Sequence, residues 1–136
     1  MMEYRRLEKK DAALLLQFED DCRTVYETEK ITRFLAQRHA LGFVAAEDEK
    51  IAAFAFGYVL MKPDGRLAFY LHAIDVMAAY QGRGIGSGLM RYIHEHIRGM
   101  GCSKMFLLTE EENRAACACY EKAGGMRKDA VLYEFT

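Results

Sequence analysis

Tyr80-Gln81-Gly82-Arg83-Gly84-Ile85-Gly86-Ser87-Gly88 decides how the rest of the chain is read. It follows an apolar run, Leu67 to Val76, that reads as a strand, and it precedes Leu89 to Ile97, whose apolar residues recur at helical spacing. The stretch is therefore a strand-to-helix turn. Glycines at 82, 84, 86 and 88 let backbone approach a ligand with no Cβ in the way, and the free N–H groups of the helix's first turn converge on one point. Such a point attracts anions. Arg83 adds a formal positive charge, so a phosphate or pyrophosphate is the expected guest.

Two other glycine-rich phosphate loops are excluded by spacing. A nucleotide-triphosphate loop ends in Gly-Lys-Ser/Thr, whereas Gly84 is followed by Ile85, Gly86 and Ser87. The dinucleotide pattern Gly-x-Gly-x-x-Gly fails because its last position falls on Ser87 when counted from Gly82 and on Leu89 from Gly84. What remains is Gln81-x-x-Gly84-x-Gly86. Between a strand and a long helix, that pattern resembles the acyl-CoA loop of the GCN5-related N-acetyltransferases, the GNAT superfamily.

Working outward, three strands lead into the turn. Gly42 to Glu47 and Ile51 to Met61 are joined by Asp48-Glu49-Lys50, and Lys62-Pro63-Asp64-Gly65 carries the chain into Leu67 to Val76 as a hairpin. Upstream, Glu3 to Leu7 reads as a strand, Leu14, Leu15 and Phe18 as a helix face beginning at Lys10-Asp11, and Ile31, Phe34 and Leu35 as a second helix. Downstream, Ile85, Leu89, Ile93 and Ile97 form one stripe of the helix that Gly99 and Gly101 end. Lys104 to Leu108 is a strand reached by helical crossover, so it runs parallel to Leu67–Val76. Asn113 to Ala123 is a last helix, and Met126 to Phe135, with Val131, Tyr133 and Phe135 alternating, supplies one or two final strands. The order β-α-α-β-β-β-α-β-α-β is a mixed α/β sheet.

A second motif lies about thirty residues on: Asn113-x-x-Ala116-x-x-x-Tyr120-Glu121-Lys122-x-Gly124. It resembles the second GNAT signature, Asn-x-x-Ala-x-x-x-Tyr-x-x-x-Gly, and the resemblance covers Ile51 to the C-terminus. It implies the acyl-CoA N-acyltransferase fold and acetyl-CoA-dependent transfer to a primary amine, by direct attack in a ternary complex. By that resemblance the N–H groups of Gln81, Gly82, Arg83, Gly84, Ile85, Gly86 and Ser87 hold the coenzyme A pyrophosphate. Ile74 and Val76 align the pantetheine arm, and the Val76 N–H polarises the thioester carbonyl. Tyr120 is the general acid that reprotonates the departing thiolate, a role suited to a phenol. Asn113 either caps its helix or touches the pantetheine.

A base must also deprotonate the amine. His72, four residues before Val76, is the first candidate, since a similar histidine serves arylalkylamine-type members and imidazole ordinarily titrates near about 6.5. An interior structural histidine is the competing reading. Asp75 and Glu111 are the alternative carboxylates, and Tyr70 shares the strand face of His72. His94 and His96 lie on the polar side of the long helix, and His39 follows the second helix as a charge on its dipole.

Some positions depart from the pattern. Ala78 stands where proline is common, and Gln81 where arginine is, the latter an accepted alternative. Gly124-Gly125, Arg127 and the ending Tyr133-x-Phe135 resemble the aminoglycoside 3-N-acetyltransferase subgroup, but that subgroup's aspartate three residues ahead of the strand valine is Ala73 here.

Composition narrows the partners. Residues 1–136 are expected to form a single domain, and nineteen basic against twenty acidic residues give a formal charge of −1 with no basic run, which argues against nucleic acid or a membrane surface. The apolar run Ile51 to Leu60 is too short to span a bilayer, and Met-Met-Glu-Tyr-Arg-Arg has no signal core, so a cytoplasmic protein is expected. Cys22, Cys102, Cys117 and Cys119 have no framework spacing. The last two point about 200° apart on a helix, so reduced thiols and no metal are expected. Glu19, Asp20, Asp21, Glu27, Glu29 and Glu110 to Glu112 make two acceptor-side segments acidic, which favours a small cationic amine. The alternatives are an aminoglycoside, a peptide amine, or an acyl-CoA sensor without turnover. The protein is a monomer or homodimer on this reading.

Overall fold

Lys62-Pro63-Asp64-Gly65 turns the chain as its composition dictates. Gly65 takes a left-handed φ of 88°, its N–H donates to the Lys62 carbonyl at 2.8 Å, and Asp64 accepts from the Arg66 backbone N–H and Nε at 3.0 and 2.8 Å. In this computed structural model, which describes residues 1–19 and 24–136, the turn joins two long strands, Lys50–Met61 (β3) and Leu67–Val76 (β4). Before them come Glu3–Arg6 (β1), Ala12–Leu15 (α1), Thr28–Ala36 (α2) and Ala40–Glu47 (β2). After them come Ile85–Gly99 (α3), Cys102–Phe106 (β5) and Arg114–Lys122 (α4). Asp20, Asp21 and Cys22, singled out in the sequence, lie outside the described residues.

The sheet runs β1-β2-β3-β4-β5, antiparallel except for the parallel β4/β5 pair. The parallel pair follows from the α3 crossover, as expected. Period-2 alternation sends each strand's side chains to two layers. Phe43, Ala45, Phe69 and Leu71 face Ile85, Leu89, Ile93 and Ile97 of α3, while Val44 and Phe54 face Leu15, Phe18 and Ile31. The sheet is thus covered on both faces. The β2–β3 turn is tighter than read: Glu47 pairs Lys50, and Asp48 and Glu49 both take positive φ, 49° and 64°, the conformation of a two-residue hairpin.

One ion pair ties the first elements together. Asp11, 2% exposed, takes Nη1 and Nη2 of Arg5 at 2.6 and 2.7 Å and the Glu8 N–H at 2.8 Å. Burial works to raise the Asp11 carboxyl, but those hydrogen bonds outweigh it and leave it below its ordinary value. Its stabilisation is therefore full above the ordinary carboxylate range and is lost as pH falls through the lowered native value. Asp11→Asn is expected to cost about 2 kcal/mol at neutral pH. Denaturant titration should show the difference between variant and parent shrinking in acid.

Two expectations are corrected. The strand read at Lys104 to Leu108 is Cys102–Phe106, beginning as soon as Gly101 (φ 95°) releases the helix. The strands read at Met126 to Phe135 do not form: residues 125–136 belong to no element, and Val131, Tyr133 and Phe135 are exposed. Alternation supplies a strand's side-chain pattern, but a strand also needs a hydrogen-bonding neighbour to offset its ordering.

Candidate active site

β4 carries a one-residue slip. Ala73 pairs with Phe56 and Leu71 with Gly57, which leaves His72 over as a bulge. Beyond the slip, Ile74 and Val76 turn inward to the α3 core that Phe69 and Leu71 served before it. On the other edge, β5 pairs with β4 only at Leu67, Phe69 and Tyr70. The second half of β4 is therefore open toward β5. The Met77 N–H donates to the Ala52 carbonyl of β3 at 2.9 Å, so by alternation the backbone groups of Val76 and Ile74 face the open side. They offer a strand's hydrogen bonds to an extended ligand.

The open edge ends at the glycine turn. Gly82 and Gly84 both take φ of 78°, where a Cβ is disfavoured, and Gly84 caps α3. The first helical bond there runs from the Gly88 N–H to the Gly84 carbonyl at 3.0 Å. By helix geometry the N–H groups of Ile85, Gly86 and Ser87 project from the end of a fifteen-residue helix. Gln81 has a different part from the one expected. Its N–H closes a turn on the Ala78 carbonyl at 3.3 Å, and its side chain donates to the Val76 carbonyl at 3.0 Å, bracing turn to strand. The side chain of Ile85 is core, and the Ser87 hydroxyl donates back to the Gly84 carbonyl at 3.2 Å.

Gly86 has a packing reason. A Cβ there would lie 3.1 Å from Cys119 Sγ and 3.4 Å from Val76 Cγ2, so its absence lets α4 close onto α3 and β4. Tyr120 is the next residue of α4 after Cys119 and packs on the same core as Ile74 and Val76. The same closure brings up Lys122, whose Nζ lies 3.9 Å from the ideal Cβ position of Gly84. Arg83 instead leans over the Tyr80 ring at 5.4 Å and reaches Glu47 at 4.0 Å, where both line a depression of about 540 Å³ with Phe18 and Met77. Lys122 was not singled out in the sequence, because its place depends on helix packing. Lys122→Ala should weaken coenzyme A binding more than Arg83→Ala does, with a smaller salt dependence than the parent, measured by titration calorimetry.

Tyr120 is half-buried among core side chains. Burial, reinforced by the negative fields of Cys119, Asp75 and Cys117, pushes its phenol up to about 12, so it holds its proton throughout the neutral range. Burial likewise raises the Cys119 thiol, against the pull of Lys122 and Arg91. Cys102, Cys117 and Cys119 are free. His72 is exposed, with rings of Phe56, Tyr70 and Tyr58 at 5.2, 5.4 and 6.2 Å. Phe106 lies 5.2 Å beyond Tyr70. The interior-histidine reading is thereby set aside. Asn113 caps α4, its Oδ1 accepting from the Ala116 N–H at 3.2 Å. Glu111 is held by Arg127 at 2.8 Å. His94 and His39 are exposed, while His96 is half-buried against Phe43 and Tyr92.

The family model described as the acetyltransferase (GNAT) family matches residues 12–125. The chain belongs to the GNAT acetyltransferase family. Among curated relatives, the mycothiol acetyltransferase of Corynebacterium glutamicum (strain R) is 37% identical over 65 residues, 47% of this chain and 22% of that protein. An acetyltransferase of Sodalis glossinidius (strain morsitans) is 32% identical over 92 residues, 66% of this chain and 61% of that one. The chain thus spans less than a quarter of the length of the mycothiol acetyltransferase. Among solved structures, an aminoglycoside acetyltransferase from an uncultured soil metagenomic sample, in complex with sisomicin, superposes with a TM-score of 0.84 at 19% identity, covering 99% of this chain and 95% of that one. Glucosamine-6-phosphate N-acetyltransferase from Arabidopsis thaliana gives 0.80 at 21%, covering 99% and 98%. At those identities the likeness is one of fold.

GNAT acetyltransferases take their acetyl group from acetyl-CoA, and the residues here fit that donor. The left-handed glycines, the α3 N–H groups and Lys122 suit linked phosphates, and the open edge at Ile74 and Val76 suits an amide-bearing arm. Among the described residues no helix is long and apolar enough to cross a membrane, and no cluster of three or more His, Cys, Asp or Glu is placed to hold a metal.

Proposed function

We propose that the chain is an acetyl-CoA-dependent N-acetyltransferase acting on a primary amine of a small cationic molecule, the amine attacking directly within a ternary complex. The observation that carries this reading is the open half of β4, running from the His72 bulge to the glycine turn, with Tyr120 packed on the same core as its Ile74 and Val76. When bound, acetyl-CoA supplies an activated thioester. The amides of Ile85, Gly86 and Ser87, with Lys122, bind its phosphates, and the backbone groups of Ile74 and Val76 orient the arm. The Val76 N–H hydrogen-bonds the carbonyl oxygen. The His72 imidazole accepts the ammonium proton, and the Tyr120 hydroxyl gives its proton to sulfur. Asp75, whose charge is felt at Tyr120, is the second candidate for the base.

A cationic acceptor is favoured by the aromatic faces of Tyr70, Tyr58 and Phe56 around His72, which attract ammonium groups. The acidic segments support it less than their composition suggests, since Glu27 is paired with Lys30 and Glu111 with Arg127. A single domain over residues 1–136 and a cytoplasmic location belong to the same proposal.

A thiol-release assay with acetyl-CoA against polyamines, aminoglycosides and peptide amines tests it. The expected result is amine-dependent release, with the acidic limb of kcat/KM removed or displaced in His72→Ala. Stabilisation by coenzyme A without turnover on any amine would point instead to an acyl-CoA sensor, and an unaltered acidic limb would remove His72 as base.

A further inference from the structure

Gly88 is not needed for the conformation of the glycine turn. It lies inside α3, its N–H already donates to the Gly84 carbonyl, and a glycine inside a helix costs stability that alanine would not. What it makes room for is Tyr4. A Cβ at Gly88 would overlap the Tyr4 hydroxyl oxygen and lie 2.9 Å from Tyr4 Cζ.

Tyr4 reaches this point from β1. It pairs with Ala45, Ala45 with Ala53, and Ala53 with Val76, so Tyr4 and Val76 stand in one row across the sheet with two buried alanines between them. The start of α3 meets that row twice. Gly86 lies against Val76, whose Cγ2 is 3.4 Å from the ideal Cβ position, and Gly88 lies against Tyr4. The Tyr4 ring is itself held, stacked on Tyr92 one helical turn beyond Gly88 with centroids 6.4 Å apart and planes 27° apart. Phe43 and His96 back Tyr92 in turn, at 6.2 and 6.0 Å. Two side chains of one row thus fix where α3 begins above the sheet.

We infer that Tyr4 is a positioning residue for coenzyme A, seating the first turn of α3 so that the amides of Ile85, Gly86 and Ser87 keep their distance from the Val76 N–H. The inference rests on the reading that the coenzyme's phosphates lie on those amides. Tyr4 touches no reacting atom and acts through α3, by way of Gly88.

Titration calorimetry with coenzyme A on the full chain, beside Gly88→Ala, Tyr4→Leu and the double variant, tests the inference. Gly88→Ala should weaken binding about tenfold, the worth of one misaligned hydrogen bond to a charged group. In the double variant the alanine methyl enters space that the tyrosine has vacated, so it should bind more tightly than Gly88→Ala alone. Two independent losses would add instead. Equal affinity in parent and Gly88→Ala overturns the inference, and so does a double variant that binds no more tightly than Gly88→Ala. Should Gly88→Ala fail to fold, two other variants decide: affinity should fall in Tyr4→Leu and be kept in Tyr4→Phe, whose ring remains, and any other order overturns the inference. Amide exchange on the parent separates this result from the reading beneath it. Without protection of Ile85, Gly86 and Ser87 by coenzyme A that reading falls, whereas protection there with affinities unmoved by the substitutions removes the role of Tyr4 alone.

Discussion

Tyr120→Phe is expected to lower kcat by about 10²- to 10³-fold and to leave the affinity for coenzyme A essentially unchanged. The substitution keeps the ring that packs against the core and removes only the hydroxyl, so a loss of rate cannot be assigned to a loss of fold. Burial holds that hydroxyl protonated up to about 12. An acid must carry its proton to act, so the parent's kcat should be flat from neutral pH to about 10 as far as Tyr120 is concerned. Steady-state rates across pH, with calorimetric titration of coenzyme A, check both halves. Equal kcat in parent and variant would show that the leaving thiolate is protonated by another group.

Gly57→Val is the largest expected loss of stability. Gly57 sits opposite the β4 bulge, and a Cβ there overlaps the Tyr70 carbonyl oxygen and comes within 2.7 and 2.9 Å of Phe69 ring atoms. Neither neighbour can yield: one is main chain in mid-sheet, and the other is fully buried. A branched side chain must force β3 and β4 apart, at a cost of about 3 kcal/mol or more. For a chain of this length that is a fall in Tm of about 10 °C or more, read by calorimetry or thermal circular dichroism. A change within experimental scatter would mean that the strands pair in another register, and the position of His72 would fall with it.

The elements that could be read from sequence are those whose geometry only certain residues allow. Gly82, Gly84 and Gly65 occupy left-handed conformations, so the glycine turn and the hairpin announced themselves, and the α3 stripe was visible because a helix buries every third or fourth side chain. The β4 bulge leaves a weaker signal in the sequence. Apolar residues fall on odd positions at Leu67, Phe69 and Leu71 and on even ones at Ile74 and Val76, a change of phase that a one-residue slip produces. The Arg5–Asp11 pair and the approach of Lys122 to Gly84 carried no such mark, since each depends on how two elements pack. For the tail, alternation was legible and the missing neighbour was not.

The central claim is that coenzyme A lies along the open half of β4 with its phosphates on the α3 N-terminus. Amide hydrogen exchange with and without coenzyme A, resolved by residue, tests it most directly. Binding should slow exchange at Ile74, Val76, Ile85, Gly86 and Ser87 together. Binding that leaves these amides unchanged while protecting another surface would contradict the account.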